Sequence, residues 1–546
     1  MQRRQFLHLS TQVGISLVAA PYILGATSSS TPVAKMKDED FLFEDVSMLT
    51  KSPVSGKFNL RIEGKIPSDL RGSLFRNGPT IFERNGLKRN SIIDGDGYIS
   101  KLNISEEVTF EGQYVQTQKF KEEEAKGKFI YDTWTTALDG KGTVSLMEQK
   151  GEANQSSISV KHLNGKLYSF DESNRPYEID KDSLETLEKD EMFAFTHFHN
   201  AHGKVDHETG EFINFGLEYG SALIIHLYSI LDGEKKFYHP INISKIDRNF
   251  SNIFGRGVYM HDFFVSKNYI VFNLQPLVFD FKQFGSLAKF FFNGEQSLAH
   301  SFSWRPELKN RILIIDRHNV EAEPIMLKTK QAMFSWHTFN AQEVDDKLLL
   351  DFVGYDDFSF FNKRENVFAQ LIDGKIAKSA YDTTPQGSVA RYTIQLEAYN
   401  AETKRYTNAS LLEEKITNAH NGYEFCTINP KYMCQTNRYG YATANRRGKQ
   451  GIYNAVSKID FTTFGDETYY FDSSHVAGEF VFCAKKGALK EDDGYLVGTV
   501  SDTKNNQTFL AVFDAQNIKQ GAIAKIYLEE TMTMRLHGEW VEAYNS

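Results

Sequence analysis

The chain has 546 residues, of which 41% are hydrophobic and 24% are charged, and a formal net charge of -9 at pH 7. This composition excludes disordered and collagen-like proteins and leaves ample length for a large buried core. Because nucleic-acid-binding proteins concentrate Lys and Arg, the acidic balance argues against nucleic acid as the main partner.

The first 35 residues predict an export signal. Arg3 and Arg4 are followed by an apolar stretch over residues 13–26 and then by a run of small polar residues. A basic start, a short apolar region and small residues near a possible cut are typical of bacterial export signals, and the arginine pair is similar to the twin-arginine class. We therefore expect export to the periplasm by the twin-arginine machinery, with one folded domain over residues 36–546. An uncleaved N-terminal membrane anchor is the alternative.

The remainder of the chain predicts an all-β fold. From about residue 55 onward, short runs of β-branched and aromatic residues alternate with turn-rich breaks. A weak unit recurs, in which an apolar strand ends in an apolar residue followed by Asp, a polar turn and another strand. It occurs at Ile179-Asp180, Ile315-Asp316, Ile459-Asp460 and Phe513-Asp514. The last two copies lie 54 residues apart, close to one propeller blade, so about seven blades fit. A pair of β-sandwiches is the alternative.

Several abundant or clustered residue types have an ordinary structural interpretation. The 43 Phe and 26 Tyr residues suit half-buried strands, although an apolar substrate tunnel draws on the same residues. The acidic run Glu122–Glu124 is predicted to be a solvated face. The three cysteines, Cys426, Cys434 and Cys483, are too few for a disulfide framework and lack zinc-site spacing. We expect them to be inert thiols.

Four histidines stand beside apolar or aromatic runs and are candidate metal ligands. They are His202, His261, His337 and His537. The inner strands of a propeller surround a central axis, so that residues distant in sequence can converge there. Taken singly, each is more often a structural histidine than a ligand, and imidazole suits Zn, Cu, Fe and Ni equally. The residues alone therefore leave both the site and its metal open.

The local sequences around these histidines resemble the carotenoid cleavage oxygenase family, which includes the retinal pigment epithelial membrane protein. The resemblance covers nearly the whole mature chain. It is carried by G-S-L-F-R-N-G-P at 72–79, D-G-D-G at 94–97, A-H-G-K-V-D-H-E-T-G-E around His202, M-H-D-F around His261, W-R-P-E-L at 304–308, H-T-F-N-A-Q-E from His337 and L-H-G-E-W around His537. It implies a seven-bladed β-propeller, with loops and short helices capping the active-site face, in which the four histidines bind one iron(II).

The resemblance also implies three glutamates behind the metal ligands. The matching residues are Glu172 in F-D-E-S-N-R-P, Glu424 in Y-E-F-C-T and Glu479 in G-E-F-V-F. A ligating imidazole usually donates its second N–H to a carboxylate or carbonyl, which fixes its orientation. From the residues alone, each glutamate could equally be a solvated carboxylate at a strand end.

The implied activity is oxidative cleavage of a conjugated carbon–carbon double bond in a carotenoid, apocarotenoid or stilbene-like substrate, giving two carbonyl products. The alternatives are an isomerase or isomerohydrolase of the same fold and a non-catalytic propeller that binds a ligand. Tyr114 or Lys119 could hold a phenolic hydroxyl of a stilbene. The aromatic stretch over residues 279–292 is interpreted as a lid, as a patch for peripheral membrane contact, or as packing against the propeller.

Overall fold

Seven antiparallel sheets follow one another along the chain and form a seven-bladed β-propeller, as predicted. The computed structural model describes residues 41–43, 45–138, 153–219, 222–247, 257–279, 299, 302–360, 367–379, 384–417, 420–446 and 452–543. The predicted export signal and the aromatic residues 280–292 lie outside these described residues.

The blades are numbered here in chain order, and their strands are given in the order in which they pair. Blade 1 contains Gly538–Glu542, Gly72–Thr80, Asp96–Ile104, Val108–Tyr114 and Gly56–Phe58. Blade 2 contains Ser159–Leu163, Lys166–Phe170 and Tyr177–Ile179, and blade 3 contains Lys204–Asp206, Glu211–Asn214 and Leu223–Leu231, with Leu217–Tyr219 and Glu234–Asn242 both paired to the last of these. Blade 4 contains Phe264–Val265, Tyr269–Leu274, Arg311–Asp316 and Ile325–Lys328. Blade 5 contains Thr338–Val344, Lys347–Gly354, Ser388–Asn400 and Arg405–Ile416, and blade 6 contains Asn421–Thr427, Tyr439–Arg446, Ala455–Asp460 and Gly465–Tyr470. Blade 7 contains His475–Ala484, Gly494–Asp502, Gln507–Asp514, Ala524–Leu528 and Leu60–Gly64.

Short elements connect and cap the blades. Three small sheets are formed by Phe41–Phe43 with Ile376–Ala377, by Glu83–Arg84 with Leu87–Lys88, and by Gly257–Val258, Leu277–Phe279 and Phe302–Trp304. The described α-helices are Gln118–Lys126, Ile243–Ile246 and Val367–Ile372. The described 3-10 helices are Ser47–Leu49, Ile92–Asp94, Glu191–Phe193, Pro306–Leu308, Pro430–Tyr432 and Ile518–Gln520. No helix within the described ranges is long and apolar enough to span a bilayer.

Both faces of a blade are buried, which explains the high content of β-branched and aromatic residues. In blade 4, Ile270 and Phe272 pack toward blade 3, whereas Val271 between them packs toward blade 5. Similarly, Leu74 of blade 1 faces blade 7 and Phe75 faces blade 2. Because side chains alternate along a strand, each interface between neighbouring blades has its own apolar cluster.

The recurring apolar-Asp unit marks the third strand of a blade. Tyr177–Ile179, Arg311–Asp316, Ala455–Asp460 and Gln507–Asp514 are the third strands of blades 2, 4, 6 and 7. The carboxylate of each Asp accepts hydrogen bonds from backbone N–H groups two or three residues later, as in the 2.8 Å bond from Thr462 to Asp460. The repeat therefore consists of Asp side chains that fix the turn between the third strand and the chain that follows.

The two ends of the described chain close the ring between blades 7 and 1. Gly538–Glu542 forms the first strand of blade 1 by pairing with Gly72–Thr80. Leu60–Gly64 is the outermost strand of blade 7 and pairs with Ala524–Leu528. Because both blades contain strands from both ends of the sequence, the propeller is held closed by backbone hydrogen bonds.

Candidate metal centre

The four predicted histidines meet where the first strands of four blades begin. His202, His261, His337 and His537 lie just before the first strands of blades 3, 4, 5 and 1, respectively. The ring of His202 is centred 4.3, 5.0 and 4.8 Å from those of His261, His337 and His537. The ring of His337 is centred 5.0 Å from that of His261 and 4.6 Å from that of His537. Four blades thus bring four imidazoles around one point.

Two of the predicted glutamates hold imidazoles through the Nδ1 atom. His337 Nδ1 donates to Glu424 Oε2 at 2.6 Å, and His537 Nδ1 donates to Glu479 Oε1 at 2.9 Å. Glu479 is fixed in turn by the backbone N–H of Gly538, which donates to Oε2 at 2.8 Å. With Nδ1 protonated, the lone pair of each neutral ring is on Nε2.

The remaining ring nitrogens fit a metal ion. Nε2 of His202 and Nε2 of His337 are buried and have no hydrogen-bond partner within the part of the chain that the structure describes. Ring nitrogens of His202, His337 and His537 lie within 4.8 Å of one another. Buried polar atoms without partners are rare in folded proteins and call for a missing ligand. A divalent ion among these imidazoles would satisfy them.

Glu172 has a looser relation to its histidine than the other two glutamates. Its Oε2 lies 3.2 Å from His261 Nδ1, and its Oε1 lies 3.8 Å from His202 Nε2. The hydroxyl of Tyr259 is nearer, at 2.9 Å from His261 Nδ1 and 3.4 Å from Glu172 Oε2. Tyr259 was not predicted, although it directly follows the strand Gly257–Val258 and lies only two residues before His261.

Burial and charge set the protonation of the imidazoles. Burial and the neighbouring imidazoles hold the pKa of His202 well below its usual value, and burial also lowers that of His537. For His337, burial acts in the same direction, but the Glu424 carboxylate outweighs it and raises the pKa. Metal binding must displace a proton from His337 when it is charged, so the affinity should fall in acid.

A buried ion pair connects the chain beside three of the histidines. Asp262, next to His261, pairs with Lys204 Nζ at 2.7 Å and accepts a 2.8 Å hydrogen bond from the backbone N–H of Thr338, next to His337. Lys204 is two residues after His202, so this one carboxylate joins blades 3, 4 and 5. The side chains of Lys204 and Asp262 are only 11% and 3% exposed, which makes the pair a rigid support rather than a surface contact.

Replacing Asp262 with Ala should destabilise the fold by about 3–5 kcal/mol, because it leaves the buried Lys204 ammonium without its counter-ion. Burial opposes ionisation of Asp262, but Lys204 outweighs it and lowers the pKa. The contribution of ionised Asp262 to the free energy of unfolding is therefore present at neutral pH and is lost as the pH falls below the ordinary carboxyl pKa of 3.8. Urea unfolding measures this free energy. The double variant Lys204→Met/Asp262→Leu should recover most of the loss; equal losses in both variants would contradict this role.

The G-S-L-F-R-N-G-P segment supports His537. Arg76 donates to the carbonyl of Glu479 at 2.5 Å, and its guanidinium lies 3.8 Å from the Glu479 carboxylate. The backbone N–H of Asn77 donates to the carbonyl of His537 at 2.9 Å. At Gly78, a Cβ would lie 2.9 Å from the backbone preceding His537, so only glycine permits this approach. The residues of this motif thus position the imidazole of His537.

Aromatic side chains enclose one side of the four histidines. We call them the aromatic wall: Trp134, Tyr259, Phe302, Phe334, Trp336, Phe358 and Phe360. The ring of Trp336 is centred 4.8 Å from that of His261. Phe425 lies on another side, with its centre 5.9 Å from that of His337 and 5.7 Å from that of His537. These surfaces are apolar and can pack against an apolar substrate.

The structure does not support Tyr114 or Lys119 as a contact for a phenolic hydroxyl, and the prediction that Glu123 is solvated is wrong. Lys119 is fully buried, and its ammonium contacts Asp96 at 2.6 Å and Glu123 at 2.9 Å. Tyr114 donates its hydroxyl to the carbonyl of Pro53. Both groups have structural partners and do not contact the histidines. Glu123 was predicted to be solvated, but it is fully buried, and Arg89 and Lys119 both pair with its carboxylate. The thiols of Cys426, Cys434 and Cys483 are free, as expected.

Comparisons with known proteins agree over most of the chain. A family model described as retinal pigment epithelial membrane protein matches residues 50–542. Isoeugenol monooxygenase of Pseudomonas nitroreducens is 27% identical over 89% of this chain and 94% of its own length. Apocarotenoid-15,15'-oxygenase of Synechocystis is 24% identical over 88% and 92%, and lignostilbene-alpha,beta-dioxygenase isozyme III of Sphingomonas paucimobilis is 23% identical over 89% and 94%.

Solved structures share the fold. Cobalt-substituted Synechocystis apocarotenoid oxygenase superposes with a TM-score of 0.76 at 22% identity, covering 92% of this chain and 99% of that one. This agreement supports the seven-bladed propeller fold.

Proposed function

The chain belongs to the retinal pigment epithelial membrane protein family, and from this premise we propose that it is a non-haem iron(II) dioxygenase that cleaves a conjugated carbon–carbon double bond into two carbonyl products. The relatives are named oxygenases and dioxygenases, and the enzyme is of the carotenoid-cleavage type. The observation that carries the proposal is the convergence of four buried imidazoles, two of them held by carboxylates through Nδ1.

The ligand set suits one iron(II) per chain. His202, His261, His337 and His537 would hold it through neutral ring nitrogens. Bound iron would supply the redox chemistry that lets dioxygen react with an alkene. Imidazole binds several first-row metals, so iron rests on the family and on the oxygenase names of the relatives.

The protein's own groups orient and protect the reactants. Glu424 and Glu479 fix two imidazoles and raise their basicity. The aromatic wall would place the alkene beside the metal and exclude water from it. One oxygen atom of dioxygen goes to each carbon of the cleaved bond, so the reaction balances without a proton donor or an external reductant.

The substrate that we propose is an alkene conjugated to an apolar or aromatic group. Two considerations support it. Relatives of similar identity are named for isoeugenol, an apocarotenoid, resveratrol and a lignostilbene. The aromatic wall also places an apolar ring, that of Trp336, beside His261. Mass spectrometry of products from a carotenoid, an apocarotenoid, a hydroxystilbene and a propenyl phenol separates long polyenes from compact aromatic alkenes.

Cleavage under ¹⁸O₂ tests the reaction. After anaerobic loading with iron(II) and brief exposure to ¹⁸O₂, we expect one labelled oxygen in each carbonyl product, provided that the carbonyls are reduced at once to stop exchange with water. A label in only one product would instead indicate a monooxygenase. Unlabelled, isomerised substrate would indicate an isomerase, and absence of both iron and turnover would favour a binding protein.

We further propose export through the twin-arginine pathway, which carries folded proteins and would suit a metal loaded in the cytoplasm. The support is the N-terminal sequence alone, with Arg3 and Arg4 before the apolar stretch. In a bacterial host, Arg3→Lys/Arg4→Lys should keep the protein in the cytoplasmic fraction, whereas the unaltered chain reaches the periplasm. Equal periplasmic yields would contradict the proposal.

Peripheral membrane contact is a separate proposal. Liposome flotation would test it by comparing the unaltered protein with a variant in which Phe290, Phe291 and Phe292 are replaced by Ser.

A further inference from the structure

Two nearly inaccessible arginines face one small cavity between blades 1 and 7. Arg76 and Arg535 are 1% and 2% exposed. The cavity has room for one small occupant, and Ser100 and Thr499 are its other polar lining residues. The remaining lining is apolar, including Leu74 of blade 1 and Leu510 of blade 7. The cavity therefore combines two cationic side chains with a surrounding of low polarity.

Arg535 has no carboxylate partner among the residues that the structure describes. Its Nε donates to the carbonyl of Thr533 at 3.1 Å, and its Nη1 donates to the carbonyl of Tyr98 at 2.8 Å. Its Nη2 is buried and makes no hydrogen bond within the described ranges. Because arginine stays protonated in proteins, the guanidinium carries its full charge into this environment. A buried charge without a counter-ion is strongly disfavoured.

Arg76 does not relieve this excess of positive charge. Its carboxylate partner is Glu479, at 3.8 Å, and Glu479 also accepts the hydrogen bond from His537. Arg76 Nε is buried without a partner in the described part of the chain. The charges of two guanidiniums are therefore opposed by one carboxylate, which contacts only Arg76 and is already hydrogen-bonded to His537.

Elsewhere in the described fold, carboxylates compensate the charge of a buried arginine. Arg317 is 6% exposed, and its Nη2 contacts Asp206 Oδ2 at 2.7 Å and Glu211 Oε2 at 2.8 Å. The charge of Arg317 is therefore paired with carboxylates, in contrast to that of Arg535.

We propose that this cavity binds one small monovalent anion, of the size of chloride, held by Arg535 Nη2 and Arg76 Nε. A single negative charge matches the single excess positive charge, and the small volume rejects polyatomic anions. The hydroxyls of Ser100 and Thr499 can donate further hydrogen bonds. Since the cavity joins strands from both ends of the chain, the anion would stabilise ring closure.

The test compares halide with a bulky anion on the full-length, iron-loaded protein. At fixed pH and ionic strength, replacing sodium gluconate with sodium chloride should raise Tm saturably, by about 2 °C or more. In crystals grown with sodium bromide, an anomalous bromine peak should lie within hydrogen-bond distance of Arg535 Nη2.

Two matched variants separate anion binding from general stability. Arg535→Met should abolish the difference in Tm between chloride and gluconate. Arg317→Met should lower Tm in both salts and keep that difference. Equal Tm values in the two salts for the unaltered protein, or a bromide-grown crystal with only water in the cavity, would overturn the proposal. If Arg535→Met does not fold, the bromide crystal still decides.

Discussion

Replacement of His337 with alanine is expected to remove the bound iron and to reduce double-bond cleavage to background. His337 presents a buried Nε2 toward the other imidazoles while its Nδ1 donates to Glu424 at 2.6 Å. The variant loses this nitrogen and also leaves the buried Glu424 carboxylate without its imidazole donor, so that only the weaker bond from the backbone N–H of Phe425 remains. Iron content after anaerobic loading and gel filtration, together with product formation, measures the loss.

His226→Ala is the matched control for this variant. His226 is 7% exposed, similar to His337 at 8%, and its ring nitrogens contact Tyr238 and Glu218 at 2.6 and 2.8 Å. It shares burial and carboxylate pairing with His337 but lies outside the four-ring group. The control should keep its iron. Equal iron contents in folded His337→Ala and His226→Ala would show that His337 is not a ligand.

Replacement of Glu424 with glutamine is expected to weaken iron binding about 10–100-fold. Glutamine keeps the size of the side chain but removes the charge that supports the lone pair of His337. Because Glu424 raises the pKa of His337, protons compete less with iron for this ring in the variant. The difference in iron affinity between the variant and the unaltered protein should therefore narrow as the pH falls. Anaerobic competition with a coloured chelator measures the affinity at each pH.

Glu218→Gln provides the comparison, since Glu218 pairs with His226 away from the four histidines. This substitution should leave the iron affinity unchanged. If Glu424→Gln and Glu218→Gln bind iron equally well, the hydrogen bond to His337 has no role in holding the metal.

The fold was accessible from the sequence because one turn chemistry repeats. Asp180, Asp316, Asp460 and Asp514 each follow an apolar strand and accept backbone N–H groups of the next turn. This pattern depends only on local geometry and is therefore visible in a single sequence. The closure of the ring could not be predicted from the sequence, because the pairing of Gly538–Glu542 with Gly72–Thr80 joins distant segments.

The site was predicted by resemblance and not by spacing. The histidines come from four blades, so no short motif relates them. Tyr259, Lys204 and Asp262 were missed because an ionisable or polar side chain is expected on the surface unless its partner is known. The same reasoning failed for Glu123, whose burial depends on Lys119 and Arg89. Buried charge pairs are tertiary facts, and their partners are set only by the fold.

Iron anomalous scattering from crystals loaded anaerobically with iron(II) tests the four-histidine centre most directly. We predict one peak within bonding distance of ring nitrogens of His202, His261, His337 and His537, with Glu424 and Glu479 still on the Nδ1 atoms of His337 and His537. A peak that lacks one of the four histidines, or one bound directly by Glu172, would contradict the account.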